Sequence, residues 1–144
     1  MSSIEFETFE HGADIGIRGY GHTIEQAFIN GARCLFFYMY DLEDLKKESK
    51  DIDGVKEIDI HLEADDLISL FIKWLNTLIA ESDINSTVFF DFYVKILDLK
   101  LKARALGISR DKVEAGVEVK GATFTEAKVE KKDGIWIAQC VVDV

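Results

Sequence analysis

No proline occurs in the 144 residues, where ordinary usage of about 5% would supply about seven. That excludes a PxxP ligand, a proline-rich linker and any cis-proline turn. Cysteine is almost as scarce. Cys34 and Cys140 stand far apart, with no CxxC and no zinc spacing. Both lie among apolar neighbours and read as reduced, buried structural thiols. Positive charge is short as well: 17 Lys and Arg face 27 Asp and Glu, for a net charge of −10 and a pI near 4.7. Affinity for phosphates comes from Lys and Arg, so strong direct binding of nucleic acid is not expected. An anionic membrane surface is disfavoured for the same reason. No apolar run approaches the ~20 residues of a membrane span. The opening Met-Ser-Ser-Ile-Glu-Phe-Glu has neither the basic segment nor the apolar stretch of a signal peptide. A cytoplasmic location without membrane contact is the expectation. There is also no Walker loop, GxGxxG, GxSxG or HExxH.

What is present suits one soluble α+β domain spanning 1–144. Hydrophobic residues make up 48% and charged residues 31%, and the length is enough for a core without metal or disulfide support. Thr23 caps a first helix, with Gln26 three residues on as in a capping box. Ile24, Ala27, Phe28, Gly31, Leu35 and Met39 follow at helical spacing. A second helix is expected from Ala64 to Ala80, with Leu67, Phe71, Trp74, Leu75 and Leu78 inward and Asp65 and Asp66 in its first turn. The polar stretch from Asp41 to Asp53 reads as a solvated loop.

The remainder alternates as strands. Ile58, Ile60 and Leu62 interleave with Glu57, Asp59, His61 and Glu63. Phe90, Phe92, Val94 and Ile96 alternate, and then the parity slips so that Leu97, Leu99 and Leu101 continue on the other phase. Leu97 and Asp98 therefore mark either a bulge or a tight turn. Val113, Ala115, Val117 and Val119 alternate again. Asp133-Gly134 is a hairpin signal joining Thr123–Lys132 to Ile135–Val144. The expected architecture is two helices packed on a mostly antiparallel or mixed sheet.

Three segments carry candidate chemistry. In His11-Gly12-Ala13-Asp14-Ile15-Gly16-Ile17 a His and an Asp precede an alternating strand. Read locally, Asp14 caps a turn and His11 is a surface residue. Near the other end, Asp143 shares a strand face with Ile135, Ile137, Gln139 and Val141. A carboxylate at the end of an apolar row is costly to bury unless paired or bound to a cation. The α-carboxylate of Val144 stands beside it. The pair reads either as a solvated chain end or as part of a hard-cation site. Lys120, on the parity of Glu114 and Glu118, is either a surface lysine or a positive point charge beside such a site.

Taken together, these segments resemble the archease family. The resemblance is carried by His11 to Ile17, Glu25-Gln26-Ala27-Phe28, Trp74-Leu75-Asn76 with Leu78-Ile79, Glu118-Val119-Lys120-Gly121-Ala122-Thr123-Phe124, and Trp136 with Val141-Val142-Asp143-Val144. They occur in the family's order and span essentially the whole chain. Gly12 stands where the family motif often has Thr, and Val113 and Thr125 where many members carry His. The resemblance implies an accessory protein of the 3′-phosphate RNA ligase of tRNA splicing. Such a protein promotes the ligase's guanylylation and multiple turnover and does not itself join RNA. It implies a divalent cation, calcium by expectation, held by Asp14 and Asp143, with the carboxylate of Val144 added here from chain geometry. Lys120 and His11 would be functional supports and not ligands. Two other classes compete. A stand-alone metal-dependent phosphohydrolase would use the same carboxylates, and a chaperone-like interaction module would need no metal.

Overall fold

The computed structural model describes residues 4–42 and 54–144. The chain opens with a hairpin, β1 (Phe6–His11) and β2 (Asp14–Gly21), and passes directly into α1 (Ile24–Met39). The expected cap is there: the Gln26 N–H donates to the Thr23 side chain. A two-residue strand, β3 (Tyr40–Asp41), follows. The stretch expected as a solvated loop lies mostly outside the described residues. After it come β4 (Lys56–Glu63), α2 (Leu67–Asn85), β5 (Thr87–Leu97) and β6 (Lys100–Ser109). A 3₁₀ turn (Arg110–Lys112) then leads to the short strands β7 (Glu114–Ala115) and β8 (Gly121–Ala122). The chain closes with β9 (Lys128–Lys132) and β10 (Ile135–Asp143).

The α+β architecture is the one expected, but among the described residues the strands divide into three sheets and every pairing is antiparallel. One sheet runs β1-β2-β10-β8, with β9 also on β10; a second is β4-β6-β5; β3 and β7 form a third. The helices fill the space between the large sheets. Phe28, Phe36, Phe71, Trp74 and Phe89 are fully buried at that junction, and Phe28–Phe71, Phe36–Phe89 and Trp74–Phe92 meet edge to face. The Trp74 indole N–H donates to the Phe28 carbonyl at 3.0 Å, which ties α2 to α1. Cys34 and Cys140 are both free and buried, as expected. Burial pushes their thiols up, to about 11 and about 12.

Several boundaries differ from the sequence expectation. Helix α2 starts at Leu67, not Ala64, because Asp66 is its N-cap: the side chain accepts the Ser69 N–H at 2.7 Å. It runs on to Asn85, where Ser86 adopts φ 47° and ends it. The polar Glu81-Ser82-Asp83 stretch hides that last turn, although Ser82 is buried and donates to the Thr87 carbonyl. The parity slip at Leu97–Asp98 is a tight turn: Asp98 and Leu99 take φ 51° and 61°, and Leu97 pairs with Lys100. A separate bulge lies earlier, between Phe89 and Asp91. The Val113–Val119 alternation yields only Glu114–Ala115 as strand, because its partner β3 offers two residues. The shared strand parity of Lys120, Glu114 and Glu118 therefore does not hold. The Asp133-Gly134 hairpin is present, but its first arm is only Lys128–Lys132. Residues Thr123 to Ala127 form a turn instead, with Glu126 at φ 53° and the Ala127 N–H donating to the Phe124 carbonyl.

A candidate carboxylate site at the end of the large sheet

Strand register brings the two acidic candidates together. β1 and β2 pair His11 with Asp14. β2 and β10 pair Ile15 with Val142, so the next position along sets Asp14 opposite Asp143. β10 and β8 pair Asp143 with Gly121. Directly opposed residues of an antiparallel sheet project to the same face. His11, Asp14 and Asp143 therefore form one row across the sheet's end, on the face turned away from α1. The sharp β1–β2 turn that starts the row needs Gly12, whose φ is +60°.

The segment after the row closes around it. The Val144 N–H donates to Asp14 Oδ1 at 3.3 Å. The Lys120 N–H donates to the Asp143 carbonyl at 2.8 Å, so Lys120 lies immediately beside Asp143 along the sheet edge. Asp14 is half-buried; His11, Lys120, Asp143 and Val144 are exposed. Every sequence-predicted site residue thus falls at this one corner. Two carboxylates facing each other repel. Oxygen donors suit calcium or magnesium better than zinc, so Asp14 and Asp143 fit a hard cation in kind. Among the described residues no three His, Cys, Asp or Glu side chains converge to hold a metal ion. An ion shared by Asp14 and Asp143 would take a further protein donor from an oxygen of Val144.

Two supports of this corner escape a local reading of the sequence. Asn76, on α2, clamps β8: its Oδ1 accepts the Ala122 N–H at 2.8 Å and its Nδ2 donates to the Ala122 carbonyl at 3.2 Å. Further along the same sheet face, Arg18 donates to Glu7 at 2.8 Å and to Gln139 at 2.7 Å. Gln139 in turn donates to the Glu126 carbonyl at 2.9 Å, which anchors the turn after Phe124. The Tyr20 hydroxyl donates to Glu7 at 2.6 Å. That hydrogen bond, and the one from Arg18, hold the Glu7 carboxyl below the usual range. Burial pushes the Tyr20 hydroxyl up, and its bond to Glu7 adds to this. Strand parity was the available signal: Arg18 and Tyr20 share the face of Asp14, and Gln139 shares that of Asp143.

The family described as "Archease protein family (MTH1598/TM1083)" matches residues 6–144, which includes the whole row. The chain belongs to the archease family. It is 40% identical to protein archease of Pyrococcus abyssi over 146 residues, covering 96% of this chain and 98% of that one. It is 38% identical to the protein archease of Sulfurisphaera tokodaii over 144 residues, covering 97% and 99%. Among solved structures, that of Methanobacterium thermoautotrophicum protein 1598 superposes with a TM-score of 0.71 at 28% identity, covering 97% of this chain and 99% of that one. An archease from Thermotoga maritima, described as a possible chaperone, shares the fold with a TM-score of 0.63 at 21% identity, covering 96% of each chain. Among the described residues no helix is long and apolar enough to cross a membrane.

Proposed function

We propose that this chain is an accessory protein of a 3′-phosphate RNA ligase, acting in the cytoplasm in tRNA splicing. In this reading it promotes the ligase's guanylylation and multiple turnover. Its working part is the carboxylate row, with a divalent cation, calcium by expectation, held by Asp14, Asp143 and an oxygen of Val144. The observation that supports the reading is the convergence of Asp14, Asp143, Val144 and Lys120 at one sheet end in an archease-family chain. When bound, such a cation offsets the repulsion between the paired carboxylates and presents positive charge to phosphate oxygens.

The chain's own residues do the positioning. Asp14 and Asp143 are fixed by strand register, so neither relies on a flexible loop. Asn76 holds β8 against α2, and β8 sets the main chain of Lys120 against Asp143. Lys120, exposed and joined to Asp143 through its main-chain N–H, would bring a compact positive charge to this corner, suited to a phosphate or to a carboxylate of the partner. The molecule's acidity suits a partner that is basic because it holds RNA, since opposite potentials speed association.

The test is multiple-turnover joining of 3′-phosphate RNA to 5′-hydroxyl RNA by a cognate ligase, with and without this protein. Strong stimulation is expected, lost with Asp143→Asn in a folded protein. Stimulation that survives Asp143→Asn would remove the carboxylate site from the mechanism. Hydrolysis of a generic phosphodiester by the chain alone, with calcium, magnesium or manganese, would favour a phosphohydrolase instead.

A further inference from the structure

The outer face of the β4-β6-β5 sheet carries a second feature, independent of the carboxylate row. Ile60, Val94, Leu101, Ala103 and Ala105 point into the core, so the alternate residues face outward. Register aligns three of these as His61–Lys102–Lys95, directly opposed across all three strands. Like charges placed directly opposite destabilise a sheet. No ion pair relieves Lys95 or Lys102 among the described residues. This arrangement stands in a chain with an excess of acids.

Of the charges around the row, Arg104 alone is held in an ion pair among the described residues, and the Glu25 carboxylate accepts the Ile96 N–H at 3.4 Å, next to Lys95. Arg104 is held by Glu57 at 2.6 Å and Asp59 at 3.4 Å. Glu63 stands opposite Lys100, and Asp91 lies two outward positions beyond Lys95. Acids and Lys or Arg balance over the face as a whole, but at this end three lysines, Lys95, Lys100 and Lys102, meet one acid, Glu63. This end borders a hollow of about 560 Å³ lined by His61, Glu63, Lys95, Leu97, Lys100 and Lys102. Tyr93 sits one outward position from Lys95 and is 67% exposed. A cation row beside an exposed aromatic ring is the combination that binds single strands: lysines take the phosphate and the ring takes a base.

We infer that this face binds single-stranded RNA, through a backbone phosphate at Lys95, Lys102 and His61 and an adjoining base stacked on Tyr93. An acidic polypeptide would meet the lysines but would leave the ring unused. The whole-molecule charge of −10 keeps the contact weak, with a Kd on the order of 10⁻⁴ M at physiological salt. The site does not depend on the ligase reading, and it is tested without a ligase.

The experiment is fluorescence anisotropy of a labelled oligoribonucleotide with the full chain. Binding is expected at 20 mM salt, and it should fall roughly 25- to 120-fold by 200 mM if two or three phosphates are contacted. Lys95→Glu with Lys102→Glu should weaken binding at least tenfold. The control pair Lys128→Glu with Lys131→Glu, on β9, makes the same change in net charge and should weaken it less than threefold. Tyr93→Ala should weaken binding severalfold, and Tyr93→Phe should restore it. All altered side chains are exposed, and a thermal melt confirms folding. No binding at 20 mM salt overturns the inference, as does equal loss in the control pair. So does competition by polyglutamate as effective as that by unlabelled RNA, which would assign the face to an acidic protein segment.

Discussion

Single side chains decide how firmly the sheet end is built. Glu7 accepts hydrogen bonds from Tyr20 and Arg18, and these hold its carboxyl below the ordinary value of 4.5. A depressed acid stabilises the fold above its unfolded pKa and loses that contribution as pH falls through its folded pKa. The stability gap between wild type and Glu7→Gln should therefore be full at neutral pH and close as pH drops below about 4.5. Urea unfolding from pH 7 to pH 3 measures it, and a gap that stays constant would contradict this account. Asn76 is a different case, because its two bonds to the Ala122 main chain lie at an exposed sheet edge. Asn76→Ala should cost about 0.5–1.5 kcal/mol, the net worth of such bonds where water can replace them. Hydrogen exchange should show the loss concentrated at the Ala122 amide. Uniform exchange across the sheet would mean that Asn76 acts on the fold at large and not as a clamp.

At the scale of elements, caps and close contacts fix the boundaries. Asp66 satisfies the Ser69 N–H at the start of α2, so Asp66→Ala should cost about 1 kcal/mol in a urea titration. Gly19 marks where β2 and α1 touch: a Cβ there would sit 2.2 Å from the Gly31 nitrogen and 2.4 Å from the Ala27 carbonyl oxygen. Both are backbone atoms, so the neighbour cannot rotate away. Gly19→Ala should therefore destabilise by about 3 kcal/mol, at or above the usual range for overpacking, whereas Gly134→Ala meets open space and should lose only what its φ of +81° imposes. Equal melting temperatures for the two variants would refute the close-contact argument. These same elements show what a sequence conveys. The α1 cap, the β4 alternation and the Asp133-Gly134 turn rest on local chemistry, and all were legible. The extent of α2 was not, because its last turn is polar outside and held by a buried Ser82 inside. Nor was the division into three sheets, since alternation tells which face is buried and not which strand lies alongside.

At the scale of the whole molecule, the chain brings two distant acids together while carrying a net charge of −10. From spacing alone Asp14 and Asp143 could be placed on strand ends, and the family resemblance joined them. The register through β2 and β10 is what sets them face to face. The supports beneath them, Asn76 and the Arg18 network, come from elements remote in sequence; Asn76 stands in a segment that carries the resemblance, but nothing local to it tells that it holds Ala122. Two effects of added calcium must then be separated. Any salt screens self-repulsion in an acidic chain and raises its stability. A specific ion adds a term that follows its own binding curve, about 2.7 kcal/mol at a hundredfold excess over Kd. Millimolar calcium should therefore raise the melting temperature well beyond sodium chloride at matched ionic strength. Asp143→Asn should remove that excess and keep the response to sodium chloride. Its melting temperature without calcium should equal or exceed the wild type's, because one member of a repelling pair becomes neutral. Chelation with EDTA should return the calcium-loaded wild type to its lower value. Equal responses to calcium and sodium chloride in the wild type would leave the acid pair as a repulsion without an ion. The proposed action on a ligase would then rest on Lys120 and the partner's own charges.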